Sequence, residues 1–138
     1  MGSMFEQQQW TWDDFATTDA TTGYVIPVIL PEGSLVEILE LGINAKTNYA
    51  AQDTNYQTFS LCDNAGNVIA AVANGPATGG LAIGPAVVTG IDTSMTAAYA
   101  TIDCSDGPVA VYVKTAATGA GRAMVGVSGW IKYRRKRA

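Results

Sequence analysis

The chain has 138 residues, 14% of them charged and 48% apolar, with a formal net charge of −4. That length fits one domain with its own hydrophobic core, and the apolar share excludes a disordered polyelectrolyte. There is no histidine, so Ser-His-Asp and Cys-His mechanisms are excluded and the most common general base and metal ligand disappear together.

In chain order, residues 1–22 are polar and Thr-rich yet carry Phe5, Trp10, Trp12 and Phe15. A tryptophan offers roughly 150–250 Å² to bury, so this extended N-terminal arm is expected to dock on its own domain or on a neighbour. The opening MGSMFEQQQWTWDDF lacks the basic region and apolar core of a signal peptide, and no apolar run approaches the ~20 residues of a membrane span; the expectation is a soluble chain with no membrane partner. GYVIPVIL (23–30) reads as a strand, with Pro27 confining it to an edge or bulge. In SLVEILELGI (34–43), Leu35, Leu39, Leu41 and Ile43 share one face, broken by Glu37, while Val36, Ile38 and Glu40 share the other. A second long loop or a single helical turn is expected over 44–56.

QTFSLC, DNAGN and VIAAVA (57–73) form the clearest hairpin, because Asn and Gly supply the positive-φ positions of a short turn. The Gly- and Pro-rich stretch 74–90 reads as a long loop with a short strand, AVV, near its end. TAAYATIDC and VAVYVKT flank a Ser-Asp-Gly-Pro turn and predict a second hairpin. RAMVGVSGWIKY then alternates Val125, Val127, Ile131 and Tyr133 with Met124, Ser128, Trp130 and Lys132, giving three sequential antiparallel strands. The sum is an all-β, antiparallel β-sandwich, jelly-roll-like: residues 1–22 an arm, 23–133 the sandwich domain, 134–138 a basic C-terminal tail.

Chemical sites find little support. Cys62 and Cys104 have no CxxC or histidine context; they pair as a disulfide or remain two buried thiols. GPATGG and TGAG match neither a P-loop nor a dinucleotide fingerprint. Asp103 with Asp106, and Asp13 with Asp14, are the carboxylate pairs to weigh for glycosidase chemistry, but turn-capping explains the first pair and opposite facing in an extended arm the second. Asp63, Asn64 and Asn67 offer oxygen ligands for calcium without an EF-hand spacing. No catalytic residue, cofactor or metal is expected.

Charge is distributed unevenly. Residues 1–131 hold all twelve carboxylates against three cations, a balance of −9, while Lys132, Arg134, Arg135, Lys136 and Arg137 add +5. Such an end suits an interprotein latch onto an acidic face, with arginine giving bidentate carboxylate contacts. Nucleic acid is a weaker partner because the −9 body opposes it, and a solvated end that blocks edge pairing is the bland alternative. With Trp10, Trp12 and Phe15, these five cations are the expected partner-binding residues.

YVIPVILPEGSLVEI, SLCDNAGNVIAAV and GRAMVGVSGWIKYRRKR, together with the aromatic arm, resemble the small capsid decoration, or cement, proteins of tailed bacteriophages and related head-associated domains. The resemblance implies a non-enzymatic virion protein, assembled in the host cytoplasm. It would bind a major capsid protein or neighbouring subunits as a homo-oligomer, with a trimer favoured. The basic C-terminus departs from that pattern. The runner-up is a secreted or cell-surface carbohydrate-binding β-sandwich with Trp10, Trp12 or Trp130 stacking on sugar rings.

Overall fold

The computed structural model describes residues 7–15, 25–30, 35–47, 49–50, 54–73, 83, 90–121, 123–124 and 126–136, with backbone alone for 7–15, 25, 26 and 136. Its strands are β1 (Gln7–Phe15), β2 (Val25–Leu30), β3 (Leu35–Ala45), β4 (Tyr56–Cys62), β5 (Val68–Ala73), β6 (Ile91–Asp92), β7 (Thr101–Asp103), β8 (Val109–Thr118) and β9 (Val127–Lys136). They form two antiparallel sheets. The first runs β1-β9-β3-β6, with β7 also on β3; the second runs β2-β8-β4-β5.

The pairings nest: β4 with β5, β3 with β6 and β7, β2 with β8, β1 with β9. That is one long hairpin, with its tip between Cys62 and Val68, folded across itself, and it makes the sandwich a jelly roll. β6 and β7 share the edge of β3 away from β9, pairing with Leu41–Gly42 and Leu35–Glu37 respectively. They act as one strand interrupted by residues 93–100, with Ile38 N–H donating to the Ala100 carbonyl across the break (2.8 Å).

The alternation that predicted strands also selects the core. Val28 and Leu30 of β2, Gln57, Phe59 and Leu61 of β4, and Val111, Val113 and Thr115 of β8 point inward and are buried. Opposite them lie Leu41 and Ile43 of β3 and Ile131 of β9, all at 0% exposure. Full burial of side chains of this size stabilises the fold by about 1.5–3 kcal/mol each.

β3 departs from the simple alternation. Val36 and Ile38 are buried, but beyond Leu39 the buried set becomes Leu41, Ile43 and Ala45. A bulge between Ile38 and Glu40 causes the switch: Ile38 pairs with Tyr133 and Glu40 with Lys132, leaving Leu39 as the extra residue. Two short patterns of opposite parity therefore feed one core face.

The hairpin at 57–73 forms as expected. Asp63 Oδ1 accepts N–H bonds from Ala65 (3.0 Å) and Asn67 (2.8 Å), and Gly66 takes φ 92°. Pro27 lies on β2, the edge of the second sheet, where its missing N–H interrupts no ladder. The expected second hairpin does not form. Residues 97–99 are turn, β7 begins only at Thr101 and pairs with β3, and β8 belongs to the other sheet, as β9 does to the first. The turn after Cys104 is a crossover between sheets, so the three strands are sequential without being neighbours.

Phe15, Val127 and Ala45 align at one end of the sandwich, and Tyr56 pairs with Thr118 there; the strand ends joined by the longer connections gather at this end. Two of those connections are tied by mutual hydrogen bonds between Tyr49 and Ile83 (2.7 and 3.0 Å). Gly90 adopts φ +66°, and a Cβ there would sit 2.3 Å from the Ile43 carbonyl oxygen, so only glycine fits. Cys62 and Cys104 are buried free thiols. Burial pushes both thiols above the usual cysteine value; Lys114 partly opposes this for Cys62.

Candidate interaction surfaces

The outer face of the first sheet is built from cross-strand pairs of β3 and β9. Glu37 stands opposite Arg134, Glu40 opposite Lys132, Gly42 opposite Trp130 and Asn44 opposite Ser128. Arg134 donates from Nε and Nη2 to Glu37 Oε1, both at 2.5 Å, and Lys132 Nζ lies 3.6 Å from Glu40 Oε2. Trp130 Nε1–H donates to the same Glu40 oxygen (2.6 Å), and Ser128 Oγ–H donates to Asn44 Oδ1. Gly42 makes room for this layer: a Cβ there would lie 2.0 Å from Trp130 Cε2. The indole thus covers the glycine backbone, filling the gap that a missing side chain leaves in a sheet.

Two of the cations singled out in the sequence therefore have partners within the chain. Lys132 and Arg134 lie in β9, between β1 and β3, facing Glu37 and Glu40. Both ion pairs are partly exposed, so each is worth about 0.2–1 kcal/mol. Arg135 falls on the opposite side of the strand, half-buried near Tyr133 and Cys104, with a buried Nε that lacks a hydrogen-bond partner among the described residues. Burial holds the Tyr133 phenol above its usual value, with the Arg135 charge opposing. Lys136 ends β9 opposite Leu35; its side chain and Arg137 lie outside the described residues.

In the arm, residues 7–15 are β1, paired along β9. The register puts Trp10 opposite Ile131 and Trp12 opposite Gly129, positions on the core face of β9, and Phe15 opposite Val127 after a bulge. The side chains of Trp10, Trp12 and Phe15 lie outside the described residues. Trp130, the third candidate for sugar stacking, is engaged with Gly42 and Glu40 instead.

The outer face of the second sheet is different. It presents Pro27 and Ile29 from β2, Ala110, Tyr112, Lys114, Ala116 and Thr118 from β8, Tyr56, Thr58 and Ser60 from β4, and Ala71 and Ala73 from β5. Among the described residues Lys114 is the single charge carried on its strands, with Asp63 at its short-turn end. Ile29 is 56% exposed on one flank and Val68 47% exposed on the other. Towards the short-turn end a shallow, open depression of about 360 Å³ is lined by Asp63, Asn64, Gly66, Tyr112 and Lys114. This face escaped sequence reading because its small residues carry no motif; the one legible signal was Tyr112 and Lys114 alternating with the buried valines.

The carboxylates weighed for chemistry are committed to local structure. Asp63 accepts from Asn67 Nδ2 (3.0 Å) as well as from two backbone amides, and that side-chain bond is the main cause holding its carboxyl below the usual range. Asp103 accepts from Ser105 Oγ (2.5 Å) and Ser105 N–H (2.9 Å), with the same effect, while Asp106 lies exposed in the adjoining turn. Asp13 and Asp14 are backbone positions in β1. Among the described residues no cluster of three or more Cys, Asp or Glu stands ready for a metal ion.

No protein-family model matches the chain, and no curated protein matches it. Solved structures similar to it include the infectious bursal disease virus VP2 subviral particle, at 14% identity and TM-score 0.41, covering 94% of this chain and 33% of that one. The structure of the Gx strain of the same virus is similar at 13% identity and TM-score 0.34, covering 93% and 32%. The Gt strain structure follows at 10% identity and TM-score 0.28, covering 99% and 37%. The chain spans about a third of the length of these matched chains. Function is argued below from this chain's own residues.

Proposed function

We propose that the chain is a non-enzymatic structural subunit of a virus shell, a decoration (cement) or minor capsid domain of a bacteriophage that binds a major capsid protein or further copies of itself. The observation that carries this reading is the outer face of the second sheet, a broad and nearly uncharged surface flanked by exposed Ile29 and Val68. Charge depletion at the centre of a patch marks surfaces that partners cover, whereas overall hydrophobicity does not. Jelly rolls serve as capsid domains and as lectins, so the fold alone does not choose between them.

In this reading the cations divide by role: Lys132 and Arg134 act within the subunit, Arg135 lies half-buried on the inner side of β9, and Lys136 and Arg137 remain to meet carboxylates on a neighbour. Trp10, Trp12 and Phe15 belong to β1, at the edge of the first sheet. The location is the virion, after assembly in the host cytoplasm. The test is the mass of the native particle at low and high salt, for the full chain and for the Ile29→Lys/Val68→Lys variant. An assembly well above the 14.4 kDa chain mass, weakened only in part by salt as its charged contacts are screened and dissociated by the double substitution, is the expected result. A monomer at every salt concentration, or an assembly that ignores the double substitution, contradicts it.

One observation favours a second reading, a carbohydrate-binding module: the depression beside Tyr112, Asn64 and Lys114 offers an aromatic face with amide and ammonium donors. Titration with soluble oligosaccharides while following tyrosine fluorescence checks it, and a Tyr112→Ala variant that still binds sugar rules that site out.

A further inference from the structure

Lys132 and Arg134 find carboxylates within the chain. Lys114 does not: it is exposed on the outer face of the second sheet and makes no ion pair among the described residues. A carboxylate borders the same shallow depression, that of Asp63. Its bonds from the Ala65 and Asn67 amides and from Asn67 Nδ2 fix it in place and hold it ionised. One face thus carries a free cation and a positioned anion that do not pair with each other.

The strand register sets the two charges on opposite sides of one row. Pro27 pairs with Tyr112, Tyr112 with Cys62, and Cys62 with Val68. Pro27 and Val68 are exposed, Tyr112 is half-buried and Cys62 is closed over. Lys114 lies two residues to one side of the row, about 7 Å along the strand, level with Ser60, and Asp63 follows Cys62 on the other side. An isologous contact needs a patch complementary to itself, and this row supplies the axis for one. With a two-fold along it and two copies packed face to face, each Lys114 comes over the other copy's Asp63, while Tyr112 meets Tyr112 and Val68 meets Val68. An axis along β8 would instead set Lys114 on Lys114. The short side chains beside the row, Thr58, Ser60, Ala110 and Ala116, suit the spacing of about 10 Å at which sheets pack. We infer that a second copy of this chain packs on the outer face of the second sheet, with Lys114 and Asp63 paired reciprocally about the Tyr112 row. The inference rests on the shell reading's covered second face and names its occupant. The contact closes at two copies, so the pair, rather than the trimer suggested by resemblance, is the unit it builds.

Zero-length carbodiimide cross-linking of the full chain tests this, because the reagent joins only an amine and a carboxylate already in contact. Light-isotope and heavy-isotope protein are mixed in equal amounts, left to exchange and treated. Linked peptides carrying Lys114 of one isotope and Asp63 of the other are the expected result. Same-isotope links alone, or no such link in an associated sample, overturns the inference. A second measurement reads charge. Lys114 is exposed, so Lys114→Met keeps the fold and the apolar stem while removing the cation. Self-association should weaken about tenfold, since each Asp63 is left facing the other copy without a partner. Unchanged or tighter self-association, the outcome for an apolar contact in which Lys114 has no partner, overturns it. Association lost through the Ile29→Lys/Val68→Lys variant but showing no Lys114–Asp63 link overturns the two-fold alone, and the shell reading then stands with another register or another protein on that face. A chain that stays monomeric overturns both.

Discussion

The two outer faces of this sandwich solve the problem of facing water in opposite ways. On the first sheet, polar and charged residues from β3 satisfy those from β9: Glu37 with Arg134, Glu40 with Lys132 and Trp130, Asn44 with Ser128. On the second, short uncharged side chains leave Ile29, Val68 and Tyr112 without such a layer above them. Among the described residues the β3 and β9 side chains of the first face find partners within the chain, whereas the second face carries no comparable layer of paired charges. The difference teaches that a run of positive charge at a chain end need not be an interaction motif, because its counter-charges can lie some ninety residues earlier on the adjacent strand.

The comparison breaks most readily at the second face. Ile29→Lys with Val68→Lys should lower association by two orders of magnitude or more, with thermal stability of the monomer changed by no more than about 0.5 kcal/mol, since exposed positions carry little folding energy; sedimentation and a denaturant melt check the two halves. On the first face the order reverses. Gly42→Ala should cost about 1–3 kcal/mol of folding stability by forcing Trp130 off the strand, with association unaltered, read from chemical denaturation and from the shift in tryptophan emission.

A smaller effect sharpens the same contrast. In a double-mutant cycle on Glu37→Ala and Arg134→Ala, the coupling should be about 0.2–1 kcal/mol and fall with added salt. A pH effect comes last. The folded-state value of Tyr133 is raised by burial, so its contribution is fully present below the ordinary tyrosine value of about 10 and is lost as pH rises through the raised one. Stability should hold to about pH 10 and then decline, and Tyr133→Phe should flatten that decline. Cys62 and Cys104, both buried with raised values, should react with thiol reagents at the rate of unfolding rather than at that of an exposed thiol.

Much of the fold was legible because period-two alternation reports strands directly. The Asp63–Asn67 turn, the edge position of Pro27 and the valine face of β8 were each visible in a few neighbouring residues. What local pattern does not encode is which sheet a strand joins. The Ser105–Gly107 turn looks like a hairpin turn but carries the chain across the sandwich, so β7 and β8 never pair. The β3 bulge was hidden for a related reason: Val36-x-Ile38 and Leu41-x-Ile43 appear as two faces until a one-residue slip at Leu39 places them on one. For the candidate surfaces, the sequence displayed the cations and tryptophans but not their partners. Glu37 and Arg134 are distant in the chain, and Trp130 found its place over Gly42 through register alone.

The most direct measurement is hydroxyl-radical footprinting of the native protein as its concentration is raised. The account expects Ile29, Val68 and Tyr112 to become protected together as the protein associates, while Trp130 on the first face keeps a constant rate. Unchanged rates at the first three residues in an associated sample, or protection concentrated at Trp130, would contradict it.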